Sequence, residues 1–178
     1  MQIQEIETYL QALDEELAQQ KIRKPVRLVV VGGVYMMLVL GNRSSTKDVD
    51  IIPLDFPDTT NPNKETKAFR SAINAVAKRF GIRRDWMNDV VSAFIPDLGP
   101  VTVWREYQHL HVYVPSQEYI LVLKLLAGRE KDEEDILALC EVLNIQTREQ
   151  AQTLVDRYAT PEWQKECSLR LTLNDLFG

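Results

Sequence analysis

Residues 26–53 carry the pattern that decides the fold, and they read VRLVVVGGVYMMLVLGNRSSTKDVDIIP. Val26 to Val31 is an apolar, β-branched run of the kind that forms a buried strand. Gly32-Gly33 follows, and we interpret Val34 to Leu40 as a short helix, because a strand continuing through two glycines is improbable. Asp48 to Ile52 then predicts a second strand. The region therefore predicts a strand, a glycine turn, a short helix and a strand.

The flanking sequence adds helices and a pair of strands. Apolar spacing of three and four residues predicts helices on both sides of residues 26–53, and alternating patterns predict two further strands. The predicted helices are Ile3–Gln20, Lys64–Phe80 ended by Gly81, a short one from Trp86 to Phe94 capped by Asp85, Gln117–Arg129 capped by Ser116, Asp132–Leu143, one from a capping box at Thr147 to about Tyr158, and a last one capped by Thr160-Pro161. The predicted strands are Pro100–Trp104 and His109–Val114, and Pro57–Asn63 is a predicted loop.

This order predicts an α/β fold of the α+β type, with a small mixed sheet, packed helices and a helical C-terminal third. We expect a core over residues 1–115 and a helical region over residues 116–178 packed on it. The candidate boundary near Pro115 is weak, so a single domain stays open as an alternative.

Composition restricts the classes of protein to consider. The 178 residues are 45% hydrophobic and 26% charged, which is a globular balance. With 21 Lys and Arg against 26 Asp and Glu, the net charge is −5, which disfavours a general nucleic-acid-coating surface. The N-terminus lacks the basic segment of a signal peptide, and the run from Leu28 to Gly41 is too short to span a membrane. We expect a cytoplasmic protein with two reduced thiols, Cys140 and Cys167.

Asp48 and Asp50 are the strongest chemical signal. Side chains two apart in a strand point to one face, so both carboxylates project together. Like charges this close repel unless a cation lies between them, and Mg²⁺ prefers oxygen ligands. The pair predicts a Mg²⁺ or Mn²⁺ site, with the solvated face of an edge strand as the alternative.

Gly32-Gly33 is a second candidate feature. Glycines between a buried strand and a helix let the main chain approach a phosphate group. The sequence has neither a P-loop nor a GxGxxG dinucleotide motif. A tight turn with no ligand is the alternative.

Taken together, these residues resemble the first motif of nucleotidyltransferases with the DNA polymerase beta-like fold. The similarity is closer to the AbiEii toxin group and related bacterial nucleotidyltransferase-like proteins, and it covers Val26 to Ile52. It resumes between Tyr119 and Leu139. The matching positions are Gly32, Gly33, Arg43, Ser45, Thr46, Asp48 and Asp50, and then Lys124, Ala127, Arg129, Asp132 and Asp135.

The resemblance implies Mg²⁺-dependent transfer of NMP from an NTP to an acceptor: a protein hydroxyl, an RNA end or a small molecule. It also implies a toxin–antitoxin or phage-defence setting, with an antitoxin or other partner protein. Asp48 and Asp50 would be catalytic metal ligands, and Lys124 would be catalytic and bind phosphate. The implied nucleotide-binding residues are Gly32, Gly33, Arg43, Ser45, Thr46, Lys124 and Arg129.

Lys124 also has a structural interpretation. The segment Ile120 to Ala127 is apolar on every side, so the helix should be buried and an ammonium within it needs a partner. Lys124 could reach a phosphate pocket, extend to the surface, or pair with Asp132 or Asp135. These alternatives stay open in the sequence.

One departure from the family pattern concerns a third carboxylate, which the polymerase beta-like fold usually supplies from a later strand. The predicted strand His109–Val114 contains no acid. Glu106 falls in a predicted turn and Asp89 on a predicted helix, so we expect one well-formed metal site and a weak or missing second. The alternative function is a weak or inactive interaction protein of the same fold. His109 and His111 share a strand face, where packing or surface roles are favoured.

Overall fold

A computed structural model of the chain describes residues 1–20, 22, 24–55, 64–89 and 97–178. These residues form two compact units. The first unit comprises residues 1–94 and 101–114, and the second comprises residues 95–100 and 115–178. The predicted loop Pro57–Asn63 lies outside the described residues.

The elements of the first unit are α1 (Ile3–Gln19), β1 (Val26–Val30), α2 (Gly32–Tyr35), a π-helical turn (Met36–Leu40), β2 (Val49–Pro53), α3 (Lys64–Phe80), β3 (Met87–Asn88), β4 (Val101–Glu106) and β5 (Leu110–Pro115). The five strands form a mixed sheet with the order β3-β2-β1-β5-β4. Strand β1 pairs antiparallel with β2 and parallel with β5, while β2 pairs parallel with β3. The mixed sheet, its packed helices and a helical C-terminal region confirm the predicted fold class.

Helices α1 and α3 pack against each other, and one face of the sheet completes their core. The buried set includes Leu10 and Leu13 of α1, Phe69 and Val76 of α3, and alternate strand residues such as Val49. This is the arrangement that amphipathic helices on a half-buried sheet produce, because each apolar stripe must find another. Strand residues that alternate with these core residues therefore point to the opposite face of the sheet.

The segment after α3 corrects the predicted short helix. Residues 84–86 form a turn and bend, and Met87–Asn88 is a strand. Trp86 is only 2% exposed, and its indole N–H donates to the Ile73 carbonyl oxygen at 3.2 Å. The Trp86 carbonyl accepts from the Val49 N–H at 2.7 Å, so pairing with β2 overrides the helical pattern. Residues 90–94 of the predicted helix lie outside the described residues.

The second unit is helical throughout its described elements. Its elements are α4 (Gln117–Ala127), a 3₁₀ turn (Glu130–Asp132), α5 (Glu133–Val142), α6 (Arg148–Asp156), α7 (Pro161–Glu166) and α8 (Leu169–Phe177). Helix α4 packs with α5, α6 and α8. The predicted caps are confirmed, because the Ser116, Thr147 and Thr160 hydroxyls each accept from the backbone N–H three residues later. Within the part of the chain that the structure describes, no helix combines the length and apolar character needed to cross a membrane.

Both cysteines are free thiols, and they differ in exposure: Cys140 is buried and Cys167 is partly exposed. Burial raises the pKa of both thiols, and the Glu166 carboxylate raises that of Cys167 further.

Because only the thiolate reacts, we expect slow reaction of Cys140 with Ellman's reagent at pH 8 and faster reaction as the pH rises. Each cysteine should give its own kinetic phase, and stopped-flow traces of the Cys140→Ser and Cys167→Ser variants assign each phase to one thiol. If the Cys140 thiol reacted faster than the Cys167 thiol, the result would contradict the structure.

Candidate active site

The candidate site forms where β1, α2 and β2 meet in the first unit. Val31, directly after β1, donates its N–H to the Asp50 carbonyl oxygen at 2.9 Å, which holds the start of the glycine turn against β2. Gly32 has a φ of +61°, a left-handed conformation that favours glycine. The turn therefore depends on glycine at this position and brings the main chain close to Asp50.

Gly32 lies directly against the Asp50 side chain. A Cβ atom placed on Gly32 would collide with Oδ2 of Asp50 and lie 3.2 Å from its Cγ. The absence of a side chain at Gly32 is thus what allows the half-buried carboxylate to approach the backbone. This contact unites two of the residues that the sequence singled out.

Gly33 makes the corresponding approach to the loop before β2. A Cβ atom there would lie 2.5 Å from the Thr46 hydroxyl oxygen and 4.0 Å from a guanidinium nitrogen of Arg43. The Thr46 hydroxyl donates to the Asp48 carbonyl oxygen at 3.0 Å, which fixes the chain entering β2. Gly33, Arg43 and Thr46 therefore share one side of the glycine turn, while Ser45 is exposed beside them.

Asp48 and Asp50 sit differently on their strand. Asp50 is the second residue of β2, whereas Asp48 lies in a bend one residue before the strand begins, and both are half-buried. Val49 and Ile51 belong to the core beneath α1 and α3, so alternation places Asp50 on the other face of the sheet. That is the face on which Gly32 approaches.

The structure adds Arg83, which sequence reasoning missed. Hydrogen bonding to Asp85, with Asp48 as a smaller electrostatic contribution, raises the pKa of the Arg83 guanidinium. Arg83 Nε donates to Asp85 Oδ1 at 2.9 Å, and this bond lowers the pKa of Asp85. The Arg83 guanidinium is thus within electrostatic range of Asp48, one of the two candidate metal ligands. The sequence signal was the Arg83-Arg84-Asp85 run after the Gly81 helix stop.

The two candidates for a third acid are placed differently from prediction. Glu106 is the last residue of β4 rather than part of a turn, and its carboxylate lies 3.7 Å from Nε2 of His111. Asp89 follows strand β3 rather than lying on a helix. Among residues 1–20, 22, 24–55, 64–89 and 97–178, no three His, Cys, Asp or Glu side chains come together in a way that could hold a metal ion.

His109 stands just before β5 rather than within it. Its backbone N–H donates to Asp14 Oδ1 at 2.6 Å, and its ring Nδ1 lies 3.8 Å from the same oxygen. Helix α1 therefore engages His109, which agrees with the packing role favoured by the sequence.

Lys124 is the centre of a buried ion cluster in the second unit. Its Nζ lies 2.7 Å from Asp132 Oδ1 and 2.8 Å from Asp135 Oδ2, and the three side chains are 8%, 10% and 1% exposed. Gly128 ends α4 with a φ of +55°, which turns the chain so that Asp132 and Asp135 can return to Lys124. Pairing with Asp132 or Asp135 is one of the alternatives that the sequence left open, and the structure has Lys124 paired with both. A phosphate role for Lys124 stays a prediction, as does one for the exposed Arg129.

A pair of glycine variants tests whether Gly32 positions Asp50. Gly32→Ala meets both a left-handed backbone and a collision with Asp50, whereas Gly81, at φ +65°, has no atom within 4 Å of an added Cβ. The backbone term alone costs about 1–2 kcal/mol at either position. We expect Gly32→Ala to lower the free energy of unfolding clearly more than Gly81→Ala in urea titrations. Equal losses would mean that Asp50 moves away freely.

Comparison with known proteins adds one match. A family model described as a nucleotidyltransferase of unknown function (DUF6036) matches residues 8–160. That range contains β1, the glycine turn, both aspartates and the Lys124 cluster. No curated protein and no solved structure match the chain.

Proposed function

Since the chain belongs to this family of nucleotidyltransferases of unknown function, we propose that it transfers NMP from an NTP to an acceptor in a reaction that needs Mg²⁺ or Mn²⁺. The observation that carries the proposal is the approach of Gly32 to the Asp50 carboxylate. Glycines expose backbone N–H groups that can bind phosphate, and the neighbouring carboxylate can bind a cation. The site therefore suits a ligand that carries a phosphate group together with a metal ion.

The donor set fits a magnesium ion bound with its substrate. Mg²⁺ in phosphoryl-transfer sites is usually held by one or two carboxylates plus substrate phosphates, rather than by a cage of protein ligands. Asp48 and Asp50 would supply the carboxylates, and the backbone N–H groups of the glycine turn would bind the phosphates. The ion would neutralise phosphate charge and lower the pKa of the attacking hydroxyl.

The remaining residues would position the triphosphate. Gly33 and Thr46 line one side of the turn, and Arg43 places its guanidinium within reach of Gly33, where it can balance charge on the leaving pyrophosphate. Ser45 is exposed beside them and can donate its hydroxyl to a phosphate oxygen. These groups bind and orient the substrate, which is the main source of catalysis in phosphoryl transfer.

In the proposed reaction, an acceptor oxygen attacks the α-phosphorus of the NTP. A new P–O bond forms, the α–β anhydride bond breaks, pyrophosphate departs, and the acceptor proton passes to solvent. The acceptor is a protein hydroxyl, an RNA end or a small molecule.

Labelling with the four [α-³²P]NTPs tests this function. The chain is incubated with each NTP, Mg²⁺ or Mn²⁺, and separately with RNA, protein and small-molecule fractions of a bacterial extract. We expect label in one fraction and release of one pyrophosphate per label. Absence of both with every NTP and every fraction would overturn the proposal.

A second candidate is a binding protein of the same fold that transfers nothing. It is favoured by the absence, among the described residues, of a third His, Cys, Asp or Glu side chain that could join Asp48 and Asp50 in a metal-binding group. This candidate predicts NTP affinity, measurable by calorimetry, without pyrophosphate release.

The similarity to the AbiEii group supports a further part of the proposal, that the chain is a toxin or phage-defence component with a protein antitoxin. Expression of the wild-type chain in a bacterium lacking the partner should arrest growth, and Asp50→Asn should relieve the arrest. Normal growth with active enzyme would contradict the toxin role while leaving nucleotidyl transfer in place.

A further inference from the structure

Strand β3 places an amide beside the candidate metal pair. In the parallel pairing of β2 and β3, Val49 stands opposite Met87 and Asp50 stands opposite Asn88. Neighbouring strands lie about 4.8 Å apart, and paired residues send their side chains to the same face. Asn88 is therefore the residue of β3 that accompanies Asp50.

Burial shows which face this is. Val49, Ile51 and Met87 all belong to the core under α1 and α3, so Asp50 and Asn88 alternate onto the opposite face. Gly32 approaches Asp50 on that face. The same alternation sends Asp89, the next residue, back toward the α3 side, where it helps to line a cavity of about 270 Å³ with Ile51 and Met87. Asn88, at the sheet edge, also borders this cavity.

We propose that Asn88 fills the third position of the metal site, so that the site carries two negative charges and holds one divalent ion. This inference rests on the proposed function. An amide oxygen is a neutral ligand of the type that hard cations accept, and it adds no repulsion to the two aspartates. Asp89, the nearby acid, follows the end of β3, and no β2 residue is paired with it.

The consequence is a site of low intrinsic metal affinity that depends on substrate phosphates to complete its coordination. Affinity of oxygen sites for divalent ions is set largely by the number of charged ligands. Asn88→Asp adds a third carboxylate in nearly the same volume. It should lower the stability of the metal-free chain through like-charge repulsion and tighten metal binding in compensation.

The experiment measures Mn²⁺ binding without NTP, by electron paramagnetic resonance of the free ion. Asn74→Asp is the matched control, because Asn74 lies on α3, lines the cavity with Asp89 and gains the same charge. We expect one weakly bound Mn²⁺ in the wild type, binding tighter by about tenfold or more in Asn88→Asp, and no change in Asn74→Asp or Asp89→Asn.

The outcomes separate the inference from the function on which it rests. A folded Asn88→Asp chain with wild-type affinity, while Asp50→Asn weakens binding, overturns the role of Asn88 alone. Two results overturn the proposed metal site and this inference with it. One is a wild-type chain that binds no Mn²⁺ even with NTP present. The other is an Asp50→Asn variant that binds Mn²⁺ as tightly as the wild type. If Asn88→Asp fails to fold, Asn88→Ala is measured instead with NTP present; it should bind Mn²⁺ several-fold more weakly, and unchanged affinity overturns the role.

Discussion

Asp50→Asn is expected to reduce NMP transfer by at least about 100-fold, because the substitution removes a charged metal ligand. Asn has nearly the volume of Asp, so it can keep the close approach of Gly32 and the pairing of β2. Pyrophosphate release under saturating NTP and Mg²⁺ measures the effect. Asp48→Asn should also lose transfer, with the smaller loss of the two if the bend before β2 lets water replace its carboxylate.

The control for charge is Asp55→Asn. Asp55 pairs with the Arg27 guanidinium at 2.9 Å on the exposed surface just after β2, in the same unit as the candidate site. Asp55 also accepts the Arg27 backbone N–H at 2.8 Å, so Asp55→Asn should lower the free energy of unfolding by about 1–2 kcal/mol while the transfer rate stays near wild type. If Asp50→Asn lost folding stability but kept its transfer rate, the Asp48–Asp50 pair would be structural.

Lys124→Met is expected to destabilise the second unit by about 3–5 kcal/mol, because it leaves two buried carboxylates without their counter-charge. Asp132 and Asp135 both contact the Lys124 ammonium, and all three side chains are at most 10% exposed. Methionine matches the length of the lysine stem, so lost packing contributes little. Urea denaturation followed by circular dichroism measures the loss.

Two variants make this prediction specific to the buried charges. Lys131→Met changes an exposed lysine of the neighbouring 3₁₀ turn and should leave stability within about 0.5 kcal/mol of wild type. Adding Asp132→Asn and Asp135→Asn to Lys124→Met should recover much of the loss, since uncharged amides cost less to bury. A neutral or stabilising Lys124→Met would contradict the cluster.

The same variant bears on the phosphate role implied by the family resemblance. If Lys124 also contacts the triphosphate, NTP affinity of the folded variant should fall by about 1.5–3 kcal/mol, the range for a hydrogen bond to a charged group. Calorimetry at a temperature where the variant is folded separates the two effects. Unchanged affinity would assign Lys124 to the ion cluster alone.

The elements whose signals are local were predictable from the sequence. The apolar runs of β1 and β2 and the capping residues Ser116, Thr147 and Thr160 each act over a few residues, and the structure has them within one residue of their predicted positions. The predicted helix after the glycines instead begins at Gly32, so both glycines belong to α2. The sequence also indicated that Lys124 needs a partner, because its ammonium lies in an apolar helix and a buried charge must be paired.

Other features depended on distant pairing and could not be seen locally. A two-residue strand such as β3 has no periodicity, and Asp85 before Trp86 imitates a helix cap; only the hydrogen bond from Val49 to the Trp86 carbonyl makes the segment a strand. The ion pairs of Lys124 with both Asp132 and Asp135 likewise depend on the turn at Gly128, which reverses the chain after α4.

Hydrophobic burial and glycine geometry act along the chain, so the strand–glycine–helix–strand core and the acidic pair at its second strand were readable from the residues alone. That Asn88 stands opposite Asp50 became visible only in the folded chain. The physical reason is strand register. A shift of one residue exchanges the two faces of a strand, and register is fixed by hydrogen bonds between segments far apart in sequence.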